Sequence, residues 1–456
     1  MTDTSTFFTN RACRYYPCHD LEEINCLFCY CPLYSLPRCP GTYHVVTTKD
    51  GRRVKSCIDC TFPHKRENIP EIFRYLKGIG TMSEPTWSDE EKDLESRIQA
   101  RWDAIAKPID SLGKFEKLIT RIGVIQGTED MHLNHPALLV FAGDHGVVRE
   151  GVTQTGSEVT RIVTENFAKG RATTNGLAKD AGCDLFIIDA GMDCEPYPEK
   201  HFVQGAVIDR KIRRGTGDIA IEDAMTIDEC KAALRAGEEA AEAMQEKGAD
   251  ILAAGEMGIG NTTPSAALIG HFLSRTAEEV TGRGAGLDDA GMERKRRAVS
   301  LALTRAEDLT DPVAVLAAIG GCEIAEMCGV YLYCAKHHLP VILDGVISLA
   351  AATTAVRIDP TVQKVLIPSH RTREGAGSFV LDALGMEPVL DASLSLGEGS
   401  GAMFLVPLLR MALHVYQDDG TFTDSGITPY TPYERLEKKD EETAEGKPAG
   451  KTEGRR

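Results

Sequence analysis

Five short apolar runs constrain the fold more than any other feature: ALLVFAGDHG at 137–146, CDLFIIDAG at 183–191, DILAAGEMGIGNTT at 250–263, LPVILDGV at 339–346 and VQKVLIPSH at 362–370. Ala-rich helical stretches separate them, and each runs out into Gly, Asp, Glu or His. This strand-then-helix alternation predicts an α/β chain with a parallel, Rossmann-like sheet covered by helices on both faces. Ligands of open parallel sheets sit beyond the carboxyl ends of the strands. Five polar strand ends on one edge therefore predict a small-molecule site, whereas one such end would be only a turn. Ahead of the first run, Ser88 is placed to cap a helix carrying Leu94, Ile98, Trp102 and Ile105 at helical spacing. Pro108 should interrupt it, and Ser111 should cap a second helix through Phe115, Leu118 and Ile122, making a small helical subdomain. Residues 417–456 are polar and highly charged, and are expected to form a disordered tail.

The chain has 456 residues, 42% hydrophobic and 26% charged, enough to bury the cores of two or three domains. No apolar stretch reaches the roughly 18–20 residues of a membrane helix, and the start MTDTSTFFTNRACR has no apolar signal core. A cytoplasmic protein with no membrane partner is expected. Net charge is −17, but residues 1–80 carry 11 basic against 8 acidic side chains, leaving 40 against 60 in the rest. So acidic a body disfavours nucleic acid as a partner and leaves room only for a local basic pocket, such as one for a phosphate.

Eight of the fourteen cysteines fall in residues 1–80: Cys13, Cys18, Cys26, Cys29, Cys31, Cys39, Cys57 and Cys60. In a reducing compartment, the close pairs Cys26-x-x-Cys29-x-Cys31 and Cys57-x-x-Cys60 favour thiolate ligation of a metal over disulfides. His19, His44 and His64 are further ligand candidates. Eight thiols suit two zinc ions, one zinc with spare thiols, or an iron–sulfur cluster. Residues 1–80 thus read as a metal-type module whose ion would supply the stability that so small a core lacks. Its segments CRYYPCH, NCLFCYCPLY, CIDC and PH resemble the cysteine-rich small domain found near cobalamin-biosynthesis proteins.

Two glycine-rich stretches carry the chemistry. In Gly255-Glu256-Met257-Gly258-Ile259-Gly260-Asn261-Thr262-Thr263, glycines let backbone N–H groups close round an anion, and the following helix N-terminus adds its dipole. The pattern is neither a P-loop nor a dinucleotide GxGxxG. Lys295 is a candidate cation for the same phosphate. In Leu394-Ser395-Leu396-Gly397-Glu398-Gly399-Ser400-Gly401-Ala402, three glycines place Glu398 where it can accept a proton from a bound heterocycle. Asp144 and His145 suit a catalytic pair, a ligand contact or a hydrogen-bonded strand cap. No GxSxG elbow points to a hydrolase.

The set FAGDHGVVREGVT, DAGM, GEMGIGNTT, GGCEIAEM, DGVISLAAA, SHRTREGAG and LSLGEGSGA, preceded by KPIDSLGKFE, closely resembles the nicotinate-nucleotide:dimethylbenzimidazole phosphoribosyltransferase family over residues 85–415. The resemblance implies a catalytic domain over that span, transferring the phosphoribosyl group of nicotinate mononucleotide to dimethylbenzimidazole for the lower ligand of cobalamin. It implies Glu398 as general base and Glu256 as a second active-site glutamate. Gly258, Gly260, Asn261, Thr262, Thr263 and Lys295 would form the phosphate site, and Asp144, His145, Thr153 and Leu396 would adjoin the substrates. It further implies a homodimer and no cofactor for the transfer itself. Thr153 and Thr155-Gly156-Ser157 depart from the family pattern near the expected base pocket, leaving another azole or a phenolic acceptor as an alternative. A non-catalytic nucleotide or corrinoid-precursor binder is a second alternative, and other cobalamin-pathway enzymes are candidate partners of the front module.

Overall fold

The computed structural model describes residues 8–21, 23–29, 31–34, 41–47, 53–76 and 86–430. Its centre is a run of eight apolar residues, β1 (Pro136–Gly143), buried at every position. β2 (Asp184–Gly191) exposes only its first residue. Such unbroken burial belongs to strands covered on both faces. β3 (Val207–Asp209), β4 (Ile251–Met257), β5 (Val341–Leu343) and β6 (Leu366–Pro368) complete the sheet. All pairings are parallel, in the order 3-2-1-4-5-6. This is the doubly wound order, in which a crevice opens between the carboxyl ends of the two central strands, here β1 and β4.

Two details of the sheet differ from the sequence expectation. β3 was not anticipated, because three residues are too few to show a period. The run VQKVLIPSH is divided: Val362–Val365 is a helical turn and only Leu366–Pro368 is strand.

Behind the sheet, the helices Ile227–Glu246 and Cys322–His337 approach backbone to backbone. A Cβ on Gly237 would stand 1.8 Å from the carbonyl oxygen of Glu326, and one on Gly329 would stand 2.0 Å from that of Leu234. Only glycine fits at either place. The contact fixes the start of the second helix beneath β1, where the Glu323 carboxylate lies against Gly143.

The chain divides into two compact units, 1–86 with 133–406, and 87–132 with 407–456. In the second unit, Ser88 accepts from the Glu91 amide at 3.2 Å while the Glu91 carboxylate accepts from the Ser88 amide, a reciprocal cap starting the helix Asp89–Ala104. That helix ends before Pro108. The next, Lys114–Gln126, starts after Gly113 with no side-chain cap, so Ser111 does not serve as one. Trp102 packs on Tyr416 with ring centroids 5.0 Å apart. Arg101 donates to the carbonyl oxygens of Tyr416 at 3.2 Å and Asp419 at 3.3 Å, satisfying the exposed end of the helix Ser400–Asp418. The segment expected to be disordered from 417 instead carries a capped helical turn, Phe422–Ser425, with Phe422 buried. Residues 431–456 lie outside the described residues.

In the cysteine-rich segment, an antiparallel hairpin pairs His44–Thr47 with Arg53–Ser56, and a helix covers Ile69–Leu76. Among the described residues no two cysteines are joined by a disulfide, and Cys39 lies outside those residues. Among the described residues, no group of three or more His, Cys, Asp or Glu side chains is already gathered as a metal cage. Nor is any helix long and apolar enough to cross a membrane. Substituting Gly237 by Ala should force the two packed helices apart and destabilise the fold by about 1–3 kcal/mol; equilibrium denaturation with urea checks this, and an unchanged midpoint would show that the contact yields freely.

Candidate active site

The turn after β4 approaches the end of β1 closely. A Cβ on Gly258 would lie 2.6 Å from the Gly143 carbonyl oxygen. Gly260 takes a φ of +95°, a conformation suited to glycine, and delivers the chain into the helix Thr262–Leu273. Asn261 occupies the cap position without capping; its side-chain amide donates instead to the Glu256 carboxylate. The free helix N-terminus therefore faces the crevice with its positive dipole end. Lys295, almost wholly buried, donates to Thr262 Oγ1 at 2.7 Å and to the Gly282 carbonyl at 3.0 Å. Burial pushes its ammonium pKa down to about 8, opposed by Glu374, whose carboxylate accepts the Gly284 amide at 2.9 Å. A cation thus stands behind the glycine turn.

Glu398 enters from a different part of the chain. Its turn has three successive positive φ values, +80° at Gly397, +61° at Glu398 and +79° at Gly399. The left-handed region costs an L-residue about 1–2 kcal/mol, so the surroundings must hold Glu398 there. Asp344 does so by accepting the Gly399 amide at 3.0 Å and the Gly401 amide at 2.7 Å. Packing explains the neighbouring glycines. A Cβ on Gly397 would be 2.4 Å from Glu256 Oε1, one on Gly401 would be 2.0 Å from His370 Nδ1, and one on Gly255 would be 2.5 Å from the Gly399 amide nitrogen.

Glu256 and Glu398 both line the crevice and touch through the Glu398 backbone. Glu256 Oε1 accepts the Glu398 amide at 3.5 Å, and Glu398 Oε2 accepts the Thr174 hydroxyl at 2.9 Å. Burial raises the Glu256 pKa to about 8, with Asp344 and Glu323 adding to the rise and Asn261 opposing it. At neutral pH this carboxyl is mostly protonated and can donate. Burial also raises the Glu398 pKa, against the pull of the Thr174 hydrogen bond, which strengthens it as a base. Two carboxyls in different hydrogen-bonding surroundings suit division into donor and acceptor.

A cavity of about 230 Å³ is lined by Glu256, Gly258, Asn261, Thr262, Leu396 and Glu398 among the expected residues. Gly260, Thr263 and Lys295 support this wall without lining it. His145 is a strut beneath the turn: its Nε2 pairs with Glu323 Oε1 at 2.7 Å, both side chains being buried. Burial pulls the imidazolium down, but Glu323, Asp144 and Glu256 outweigh it and raise the pKa. Asp144 is a strand cap, accepting the Asp193 amide at 2.8 Å, and it faces a neighbouring cleft lined also by Ser157, Arg161 and Cys194. Thr153 turns its hydroxyl to the Thr155 carbonyl at 2.8 Å, beside Gly260 and outside the cavity lining. The sequence reading missed Thr174, Asp344, His370 and Glu374. The last three lie in DGVISLAAA and SHRTREGAG, whose individual residues carried no spacing signal; Thr174 lies in no motif.

A phosphoribosyltransferase family profile matches residues 88–427, and a profile described as a cysteine-rich small domain matches residues 4–86. The chain belongs to the nicotinate-nucleotide–dimethylbenzimidazole phosphoribosyltransferase family. It is 37% identical to the enzyme of that name from Acetivibrio thermocellus over 79% of this chain and 99% of that one. The Chromobacterium violaceum protein is 41% identical over 74% of this chain and 97% of its own. A solved structure, CobT from Thermus thermophilus, superposes with a TM-score of 0.71 at 39% identity, covering 74% of this chain and all of that one. A chain of this phosphoribosyltransferase family is a pentosyltransferase.

Glu398→Gln should keep the turn and the substrate site but lower kcat roughly 100-fold or more, because a carboxamide cannot take up a proton; near-normal turnover would remove Glu398 from the base role. The lowered Lys295 pKa gives a pH signature. The ammonium is present below pH 8 and lost above it, so the KM for the phosphate-bearing substrate should rise by up to about tenfold per pH unit above 8. Lys295→Arg, charged throughout, should flatten that rise.

Proposed function

We propose that the cavity transfers the phosphoribosyl group of nicotinate mononucleotide to dimethylbenzimidazole, giving α-ribazole phosphate and nicotinate for the lower ligand of cobalamin. The observation that carries this reading is the meeting of Glu398 and Glu256 over a glycine turn backed by a buried lysine. The pyridinium nitrogen of the nucleotide is already cationic, so nicotinate leaves C1 of the ribose without a general acid. The incoming benzimidazole must lose its ring N–H as its other nitrogen attacks, and Glu398 is placed to take that proton. Glu256, protonated at neutral pH, orients the bound substrates by donating a hydrogen bond. The helix N-terminus at Thr262, with Lys295 behind it, receives the phosphate. Attack from the face opposite the leaving group inverts C1 from β to α.

The transfer moves no electrons and needs no redox cofactor or metal. We read the active species as a cytoplasmic homodimer. Phe404 and Met411, exposed by 45% and 68% on the helix Ser400–Asp418, support this as apolar surface in need of a cover, and sedimentation of the full chain tests it. The cysteine-rich segment we read as a metal-binding module, on the spacing of its thiols.

Mass-spectrometric product analysis of the full chain with nicotinate mononucleotide and a panel of azole and phenolic bases tests the reaction. Equimolar nicotinate and α-ribazole phosphate are expected, with dimethylbenzimidazole the best acceptor. Preference for another base would reassign the acceptor, and binding without any product would overturn the enzymatic reading.

A further inference from the structure

The active-site cavity carries a carboxylate of its own at the end assigned to the phosphate. Its wall there is built by Thr262, Gly284, Ala285, Thr372 and Glu374. Glu374 stands at the cap position of the helix Gly375–Ala383, yet its side chain makes no cap to that helix. It reaches instead to a loop 90 positions away, where its carboxylate accepts the Gly284 amide at 2.9 Å. Glycine opens the way: a Cβ on Gly282 would overlap the Glu374 carboxylate, and Gly284 takes a φ of +54°. The same loop adjoins the cation. A Cβ on Gly284 would lie 3.1 Å from Thr262 Oγ1 and 3.3 Å from Lys295 Nζ, and Lys295 donates both to Thr262 and to the Gly282 carbonyl. A backbone amide, a helix N-terminus and an ammonium thus converge on one end of the cavity, and a carboxylate already holds the amide.

We propose that Glu374 is a built-in competitor for the phosphate of substrate and product, holding the Gly284 amide that a phosphate oxygen would take and yielding it when a phosphate binds. This rests on the placement of the phosphate at Thr262 and Lys295, and adds a residue that sets how tightly a phosphate is held there. An arriving phosphate gains the ammonium and the helix terminus but meets a like charge beside them, so part of its attraction is offset. Glu374 also sustains the Lys295 ammonium against burial, so the carboxylate that competes with the phosphate keeps its cation charged. Substrate and product carry the same phosphate in the proposed transfer. Glu374 therefore limits the affinity for both and favours release of the product, whereas a riboside without phosphate has nothing with which to displace it.

Calorimetric titration of the full chain with inorganic phosphate, nicotinate mononucleotide and the corresponding riboside tests the role, at a pH well below the Lys295 value of about 8 so that the ammonium is charged. Glu374→Gln keeps an acceptor for the Gly284 amide and removes the charge. It should bind phosphate and the nucleotide about tenfold more tightly and leave the riboside unchanged, while Lys295→Ala should weaken phosphate binding. Unchanged or weaker phosphate binding by Glu374→Gln, with Lys295→Ala still weakening it, would leave the phosphate site standing and overturn the competitor role, making Glu374 a support for the loop. Equal tightening of the riboside would place the effect away from the phosphate and overturn the role as well. Phosphate binding indifferent to Lys295→Ala would remove the phosphate placement itself, and the proposal with it.

Discussion

The Asp344 carboxylate, accepting two backbone amides of the Gly397–Gly401 segment, is the contact on which the site depends. That segment cannot hold its shape from local preference, since an L-residue at positive φ is disfavoured. Asp344 follows β5 directly, so the sheet itself anchors the turn. Every glycine of the turn then has a mechanical reason: Gly397 clears Glu256, Gly399 clears Leu138 and Gly401 clears His370. The same close approach that strains the backbone brings Glu398 and Glu256 together from positions 142 residues apart.

Burial turns this geometry into chemistry. Removing Glu256 from water pushes its carboxyl to about 8, while Glu398 keeps a hydroxyl donor in Thr174 that opposes its own rise. Burial thus raises both carboxyl groups in one cavity, and only Glu398 is held back by a hydroxyl donor. Lys295 shows the converse, a cation weakened by burial and partly sustained by Glu374. An anion arriving at the Thr262 helix terminus would strengthen that ammonium, so substrate charge and site charge reinforce each other.

The support beneath the site is built from close backbone contact rather than from large side chains. Gly237 and Gly329 let two long helices touch, which sets the start of the second under β1 and places Glu323 against His145. His145 in turn underlies the Gly258 and Gly260 turn. A chain of glycine contacts therefore runs from the back of the sheet to the catalytic edge. In the cysteine-rich segment the buried apolar side chains are few, Ile24, Leu33, Ile69 and Ile72 among them.

Much was legible in the sequence because short-range patterns determine it. The parallel sheet follows from apolar runs separated by helical stretches, the Ser88 cap from its spacing to Glu91, and the glycine turns that carry Glu256 and Glu398 from motifs that must be contiguous to bend the backbone. Asp144 and His145 show the limit: the sequence offered a catalytic pair, a ligand contact or a strand cap, and the fold made one a cap and the other a strut. Thr174, Asp344, His370 and Glu374 were invisible as site residues because their contacts cross about 30 to more than 200 positions. Local sequence determined which residues could turn, cap and titrate. The tertiary structure alone decided which of them meet and how burial shifts each carboxyl, because both depend on distance through space and on the exclusion of water, and neither quantity is written along the chain.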